Sequence, residues 1–193
     1  MAVTPRILVL AGSIRKESFN RRLAKLGADA ARAAGAEVTL LELADFPLPL
    51  MNEDLQAEQG VPKEAQALKK IFIEHDGFLL SCPEYNSGIT PLLKNLIDWV
   101  SRKEGSETPL VAYRGKVAGL MSASPSPLGG IRGLVQVRSI LGNIGVLVLP
   151  DQVQVAKAPE AFQADGTLKD AATAGRVTAL AQSLVTTAGK LKA

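Results

Sequence analysis

The sequence predicts an α/β fold: an open, five-stranded parallel sheet of order 2-1-3-4-5, with helices on both faces. Three observations carry this. Short apolar runs alternate with segments of helical periodicity along the chain. The runs are continuously apolar, which suits strands buried on both faces. No repeat, low-complexity block or internal linker interrupts the 193 residues, so 1–193 reads as one domain.

Ile7–Ala11 is the first strand. Phe19, Leu23, Leu26, Ala30 and Ala34 then recur at helical spacing, and Gly35 stops that helix. Val38–Leu43 is the second strand. The proline-rich stretch 44–62 reads as a long loop, a class that is usually functional or mobile. Lys63–Glu74 is a helix with Ala65, Leu68, Ile71 and Phe72 on one face, and Gly77–Cys82 is the third strand.

Thr90 and Pro91 open the next helix, with threonine at the N-cap and proline in the first turn. It runs to Trp99, which the spacing assigns to the core or a subunit contact. Lys116–Met121 is the fourth strand, Ile131–Asn143 a helix stopped by Gly145, and Val146–Leu149 the fifth strand. Leu168–Leu191 is a final alanine-rich helix that covers the sheet.

Composition narrows the functions. Apolar residues make up 47% of the chain, enough for a substantial core. Basic and acidic residues number 22 and 19, a net charge of only +3, and the basic doublets Arg21-Arg22 and Lys69-Lys70 read as solvated helix faces. Nucleic acid is therefore not an expected partner. With one cysteine and one histidine, neither an intrachain disulfide nor a Cys/His metal site can be assembled. Any catalytic triad would have to use His75, which sits at a helix end and reads as a C-terminal cap. Cys82 reads as a small apolar side chain. No segment approaches the ~20 apolar residues that span a bilayer. No membrane association is expected, and the chain reads as cytoplasmic.

In open α/β sheets, ligands sit beyond the carboxyl ends of the strands, where the winding reverses. For this strand order the reversal lies between strands one and three. The loops there are "GSIRKESFN" and "PEYNSG". In the first, a helix N-terminus offers unpaired amides and partial positive charge. Ser13, Ser18 and Asn20 add hydrogen-bond donors, Arg15 adds a charged one, and Gly12 permits close backbone approach. Simple capping by Ser18 or Asn20 is the alternative.

The chain has no Walker A sequence, and its first loop has no second glycine for a dinucleotide fingerprint. Such a loop suits a single phosphate monoester, and FMN sits at this switch point in the flavodoxin-like fold. In the second loop, Pro83, Glu84, Tyr85 and Asn86 place amides, an aromatic ring and a carboxamide where a flavin ring would lie. Alternatively, Tyr85 packs in the core, Asn86-Ser87-Gly88 is an ordinary turn, and Glu84 pairs with an arginine across an oligomer interface.

The segments "GSIRKESFNRRLA" and "PEYNSGITPLLKNLIDW" resemble the two signatures of the NADPH-dependent FMN reductases, a group of flavodoxin-like quinone, chromate and azo-dye reductases. "SASPSPLGGIRGLVQVRSILGNIGVLVLPDQVQV" is similar to that family's third segment, departing from it at Ser126-Pro127, where a glycine is common. The resemblance covers about residues 5–156. It implies a three-layer sandwich that binds FMN and uses NADPH or NADH as co-substrate. It implies phosphate contacts from Ser13, Arg15, Ser18 and Asn20, and ring contacts from Pro83, Glu84, Tyr85 and Asn86. The loop from Ser122 through Gly129 and Gly130 would lie beside the ring. It also implies a homodimer or homotetramer.

The expected chemistry is ping-pong hydride transfer from NAD(P)H to FMN, then to a quinone, free flavin, azo, nitroaromatic or chromate acceptor. The flavin carries that chemistry, so no catalytic side chain is expected. Arg114 and Arg132 are the basic candidates for the adenosine 2′-phosphate of NADPH. The alternative is a flavodoxin-type electron carrier serving a protein partner. Such carriers tend to be strongly acidic, whereas this chain has a pI near 9.1. A redox-inert binding protein of the same fold is the third reading.

Overall fold

The computed structural model describes residues 4–192. Alternation along the first strand, β1 (Arg6–Ala11), establishes the layers. Ile7, Val9 and Ala11 enter one apolar cluster, and Leu8 and Leu10 enter another on the opposite face. β1 pairs in parallel with β2 (Glu37–Leu41) on one side and β3 (Gly77–Ser81) on the other. β6 (Val117–Ala123) and β7 (Leu147–Val155) complete the sheet, in order β2-β1-β3-β6-β7 with every pair parallel. This is the expected 2-1-3-4-5 order, because β4 (Glu84–Tyr85) and β5 (Gly88–Ile89) form a separate antiparallel hairpin.

Helices α1 (Phe19–Ala33) and α7 (Ala171–Lys192) cover one face, where Leu23, Ala28, Leu180 and Leu184 meet Val9, Leu79 and Met121. Helices α3 (Lys63–Glu74), α4 (Pro91–Val100) and α5 (Ile131–Asn143) cover the other. There Leu68, Leu96, Leu134 and Val137 pack on Leu8, Leu10, Phe78 and Leu120. The result is the three-layer flavodoxin-like arrangement. None of its helices, among the described residues, is long and apolar enough to cross a membrane.

Four local expectations are corrected. The stretch 44–62 is not a structureless loop: it carries a 3₁₀ turn (Leu43–Asp45) and α2 (Glu53–Gln59), whose N-cap Asn52 accepts a hydrogen bond from Asp54 N at 2.8 Å. The segment is fastened to α4. Trp99 Nε1 and Asn95 Nδ2 both donate to the Pro49 carbonyl, at 2.8 and 2.9 Å, and Met51 N donates to Asn95 Oδ1 at 2.7 Å. Trp99 itself is fully buried against Val61 and Ala65.

Lys69 is not on a solvated face. Its ammonium is buried and donates to Glu104 at 2.6 Å and Glu107 at 2.9 Å, which returns the Coulomb energy that burial alone would forfeit. β7 runs past the expected end through Pro150, an edge position where a missing N–H is tolerated. The last helix begins at Ala171, later than expected. Asp170 caps its first turn by accepting from Thr173 N at 2.8 Å, and Phe162 bridges Leu168 just upstream in a short antiparallel pairing. Between β7 and that bridge, α6 (Ala158–Ala161) is a single turn.

His75 does end α3, as the sequence indicates. Its ring spans two elements, Nδ1 lying 2.6 Å from the Ile71 carbonyl and Nε2 2.8 Å from Thr39 Oγ1 on β2. Burial lowers its pKa below the ordinary 6.5, although the Ile71 carbonyl opposes the shift. The neutral ring is thus favoured by folding, whereas the unfolded chain takes up a proton near pH 6.5. Stability should be level with respect to this group above that pH and fall as pH drops below it. His75→Gln should flatten that part of a stability–pH profile from urea unfolding.

Candidate functional site

The site lies where β1, β3 and β6 end. Their registers place Ala11 opposite Ser81 and Ser81 opposite Met121, so the three chains leave the sheet side by side. Gly12 N donates to the Ser81 carbonyl at 2.9 Å and Cys82 N to the Met121 carbonyl at 2.7 Å, which carries the ladder one residue into the loops. Thr90, the N-cap of α4, accepts from Leu93 N and donates to the Gly12 carbonyl at 3.1 Å. One hydroxyl thereby caps a helix and fastens the first loop to it.

A cleft of about 460 Å³, open to solvent, lies between these loops. Ser13, Arg15, Ser18, Phe19 and Asn20 form one wall; Pro83, Glu84 and Tyr85 and the Ala123–Pro125 turn form the rest. The two loops singled out in the sequence do converge. Asn86, Ser122, Gly129 and Gly130 are not among the cleft-lining residues.

Capping does not account for the first wall. Ser18 is the N-cap of α1, yet its side chain makes no capping hydrogen bond although the residue is only 4% exposed. The amides of Phe19 and Asn20 precede any carbonyl the helix could offer them. The Arg15 guanidinium is exposed and donates to the Glu17 carbonyl at 3.2 Å, while Arg15 N donates to Ser13 Oγ at 3.3 Å. Gly12 has a different role from the expected one. A Cβ there would lie 3.1 Å from Leu93 Cβ and 3.2 Å from Pro83 Cδ, so its close approach is to α4 and the second loop.

Asn20 also departs from expectation. Its amide is already engaged: Nδ2 donates to the Ala123 carbonyl at 2.7 Å, and Oδ1 accepts from Ala123 N at 3.0 Å and Ser81 Oγ at 3.0 Å. Phe19, missed in the sequence as a wall residue, stacks on Phe162 at 5.7 Å with the Arg22 guanidinium over its ring. Its position between Ser18 and Asn20 was the available signal.

The second wall rests on the hairpin. Asn86 and Ser87 have φ of +49° and +67°, the left-handed pair that a two-residue hairpin of favoured twist requires. This raises Tyr85 to the surface, 54% exposed, and excludes it from the core. Glu84 points the other way. Its nearly buried carboxylate accepts from Gly133 N at 2.8 Å in the first turn of α5 and lies 3.5 Å from Arg132 Nε of the same chain. Gln136 seals the contact, donating to the Ser87 carbonyl and accepting from Ile89 N. Glu84 is thus a cap and anchor, and its arginine is internal.

Ser122 and the glycines position the third loop. Gly130 has φ of +87°, and a Cβ on it would fall 2.0 Å from Ser122 Oγ. The Ser122 hydroxyl is buried beneath it without a hydrogen-bond partner. Gly129 (φ +61°) is similarly crowded, its Cβ position 2.9 Å from Gln154 Cβ on β7. Of the basic candidates, Arg132 lies beside Glu84. Arg114 lines a hollow with Asp76 and Lys116 at the opposite end of the sheet.

The fold is that of the flavodoxin-like α/β proteins, and the cleft lies at the switch point where such sheets bind ligands. The family model for NADPH-dependent FMN reductases matches residues 5–160, and the chain belongs to that family. It is an FMN-dependent enzyme with NAD(P)H as co-substrate. An NAD(P)H:quinone oxidoreductase of Solanum tuberosum is 34% identical over 199 residues, which cover 100% of this chain and 98% of the relative. A quinone reductase of Escherichia coli is 34% identical over 75% of this chain and 73% of its own. The solved structure of FerB, a flavoenzyme NAD(P)H:(acceptor) oxidoreductase from Paracoccus denitrificans, superposes with a TM-score of 0.80 at 29% identity, covering 97% of this chain and 98% of FerB.

Two losses of stability should follow from this geometry, both read from urea midpoints. Gly130→Ala should cost about 2–4 kcal/mol, from left-handed strain plus the collision with Ser122. Glu84→Gln should cost about 1–2 kcal/mol, because a charged cap becomes a neutral one.

Proposed function

We propose that the FMN phosphate sits at the first turn of α1, held by Ser13, Arg15, Ser18 and the first-turn amides, with the flavin ring toward Pro83 and Tyr85. The Ser18 hydroxyl carries this reading: an N-cap serine that does not cap its helix leaves a donor for a ligand. The donor set fits a phosphate monoester, with hydroxyls, helix amides and one guanidinium and no carboxylate among the phosphate-facing groups.

FMN held there would supply the redox chemistry, accepting a hydride from NAD(P)H and passing the electrons to a small oxidant. Ser13, Arg15 and Ser18 would hold its phosphate, and the solvent-open side of the cleft would leave the ring accessible. The Tyr85 ring, exposed at the cleft edge, gives planar molecules an apolar surface. Donor and acceptor would use that face in turn, a ping-pong cycle. A quinone is the acceptor class we favour, from the two quinone-reducing relatives. No side chain has to move a proton at a catalytic atom, in keeping with the use of the single histidine as a structural bridge.

We read residues 1–193 as one such domain, acting in the cytoplasm as a homodimer or homotetramer. Leu50 supports a self-contact. It is 78% exposed, although Pro49 and Met51 on either side are fixed by hydrogen bonds to α4. Val135, on the outward side of α5, is 60% exposed.

Arg15→Ala should weaken FMN binding by about 1.5–3 kcal/mol, the scale of a charged hydrogen bond, and leave riboflavin binding unchanged. Equal FMN affinity in the variant and the parent would overturn the phosphate placement. In the FMN-loaded protein, NADPH should bleach the flavin's visible absorbance and a quinone should restore it; a flavin that stays oxidised with NADPH would overturn the proposed cycle.

A further inference from the structure

We infer that Asn20 is a positioning residue, not a phosphate ligand: it pins the end of β6 to α1 and so fixes the spacing of the two walls between which the flavin lies. The inference rests on the FMN placement above and concerns how the chain builds that site.

The geometry is specific. The Asn20 carboxamide faces the backbone of Ala123 as a second peptide would, giving a hydrogen to its carbonyl and taking one from its amide. A flipped carboxamide would set N–H against N–H and oxygen against oxygen, so the protein itself dictates the orientation. Ser81 Oγ, at the end of β3, donates to the same Oδ1. One side chain therefore joins the first turn of α1 to two strand ends, across 103 residues of sequence to Ala123 and 61 to Ser81. Asn20 and Ser81 are both buried.

Ala123 and Ser124 are wall residues, as are Ser18 and Phe19 next to Asn20. Without the pin, the Ala123–Pro125 turn would keep its ladder bonds to β7 but lose its link to the phosphate loop. Both halves of the cofactor would then be held less well.

Flavin titrations of the apoprotein separate this role from direct phosphate contact, at a temperature where circular dichroism shows every variant folded. Asn20→Ala should lower the affinities for FMN and for riboflavin by a common factor, about tenfold for lost charge-neutral hydrogen bonds. Ser81→Ala, a smaller change that removes one donor, should give a weaker loss, about threefold, again shared by both flavins. If Asn20→Ala folds poorly, this second variant still decides the matter.

Asn20→Asp adds a pH readout. An ionised carboxylate would set an oxygen against the Ala123 carbonyl, whereas the protonated acid can donate there and accept from Ala123 N and Ser81. Riboflavin affinity of Asn20→Asp should therefore recover as pH falls from about 8 to about 5.5, with little change in the parent. Loss of FMN affinity alone, with riboflavin unaffected in Asn20→Ala, would make Asn20 a phosphate ligand and overturn the inference. A flat riboflavin profile for Asn20→Asp would also overturn it. A parent protein that binds neither flavin would overturn the cofactor placement and this inference together.

Discussion

The first and third strands finish level with one another, β6 runs two residues further, and the rest of the site depends on that shared exit. Parallel strands have no tight turn between them, so each chain end leaves the sheet in the same direction and needs its own support. Ladder bonds continue one step beyond the strands, from Gly12 to Ser81 and from Cys82 to Met121. Beyond that step, side chains take over. Thr90 fastens the first loop to α4, Glu84 fastens the second to α5, and the Asn20 carboxamide ties the first helix to the third loop. The cleft is what remains between three irregular segments that are each fixed from behind.

This division of labour matches the chemistry. A flavin supplies its own reactivity, so the protein must present it in a fixed pose and leave one side open. The strongest polar groups nearby are therefore spent on architecture. Glu84 caps a helix, Asn20 imitates a peptide, and the far-off His75 joins a helix end to a strand. On the first wall, Ser18, whose hydroxyl makes no capping bond, and Arg15, whose exposed guanidinium makes a single bond to the Glu17 carbonyl, are the groups suited to an anion. A glycine at 130 and a serine at 122 allow the third loop to fold down onto β6, where any larger pair would collide.

Much of the fold was legible because its signals are local. Continuous apolar runs gave the strands, and α3 and α5 begin and end where their periodicity and stop signals do. The meeting of the first two loops followed from strand order alone. The local alphabet failed where a residue's partner is remote. The amide of Asn20 reads as a free donor until Ala123, 103 residues away, is placed against it. Glu84 finds its acceptor role 49 residues on, at Gly133. Lys69 reads as a surface cation until Glu104 and Glu107 fold over it. The hairpin was hidden because its two strands are two residues each, too short for any alternation to register.

The lone sulfhydryl follows from the same architecture. Cys82 follows β3 in complete burial, which pushes its thiol far above the ordinary range, so that it stays protonated. A thiolate is the form that attacks electrophiles and hands over to oxidants. Buried and protonated, this thiol is therefore withheld from electron-poor compounds that reach the cleft.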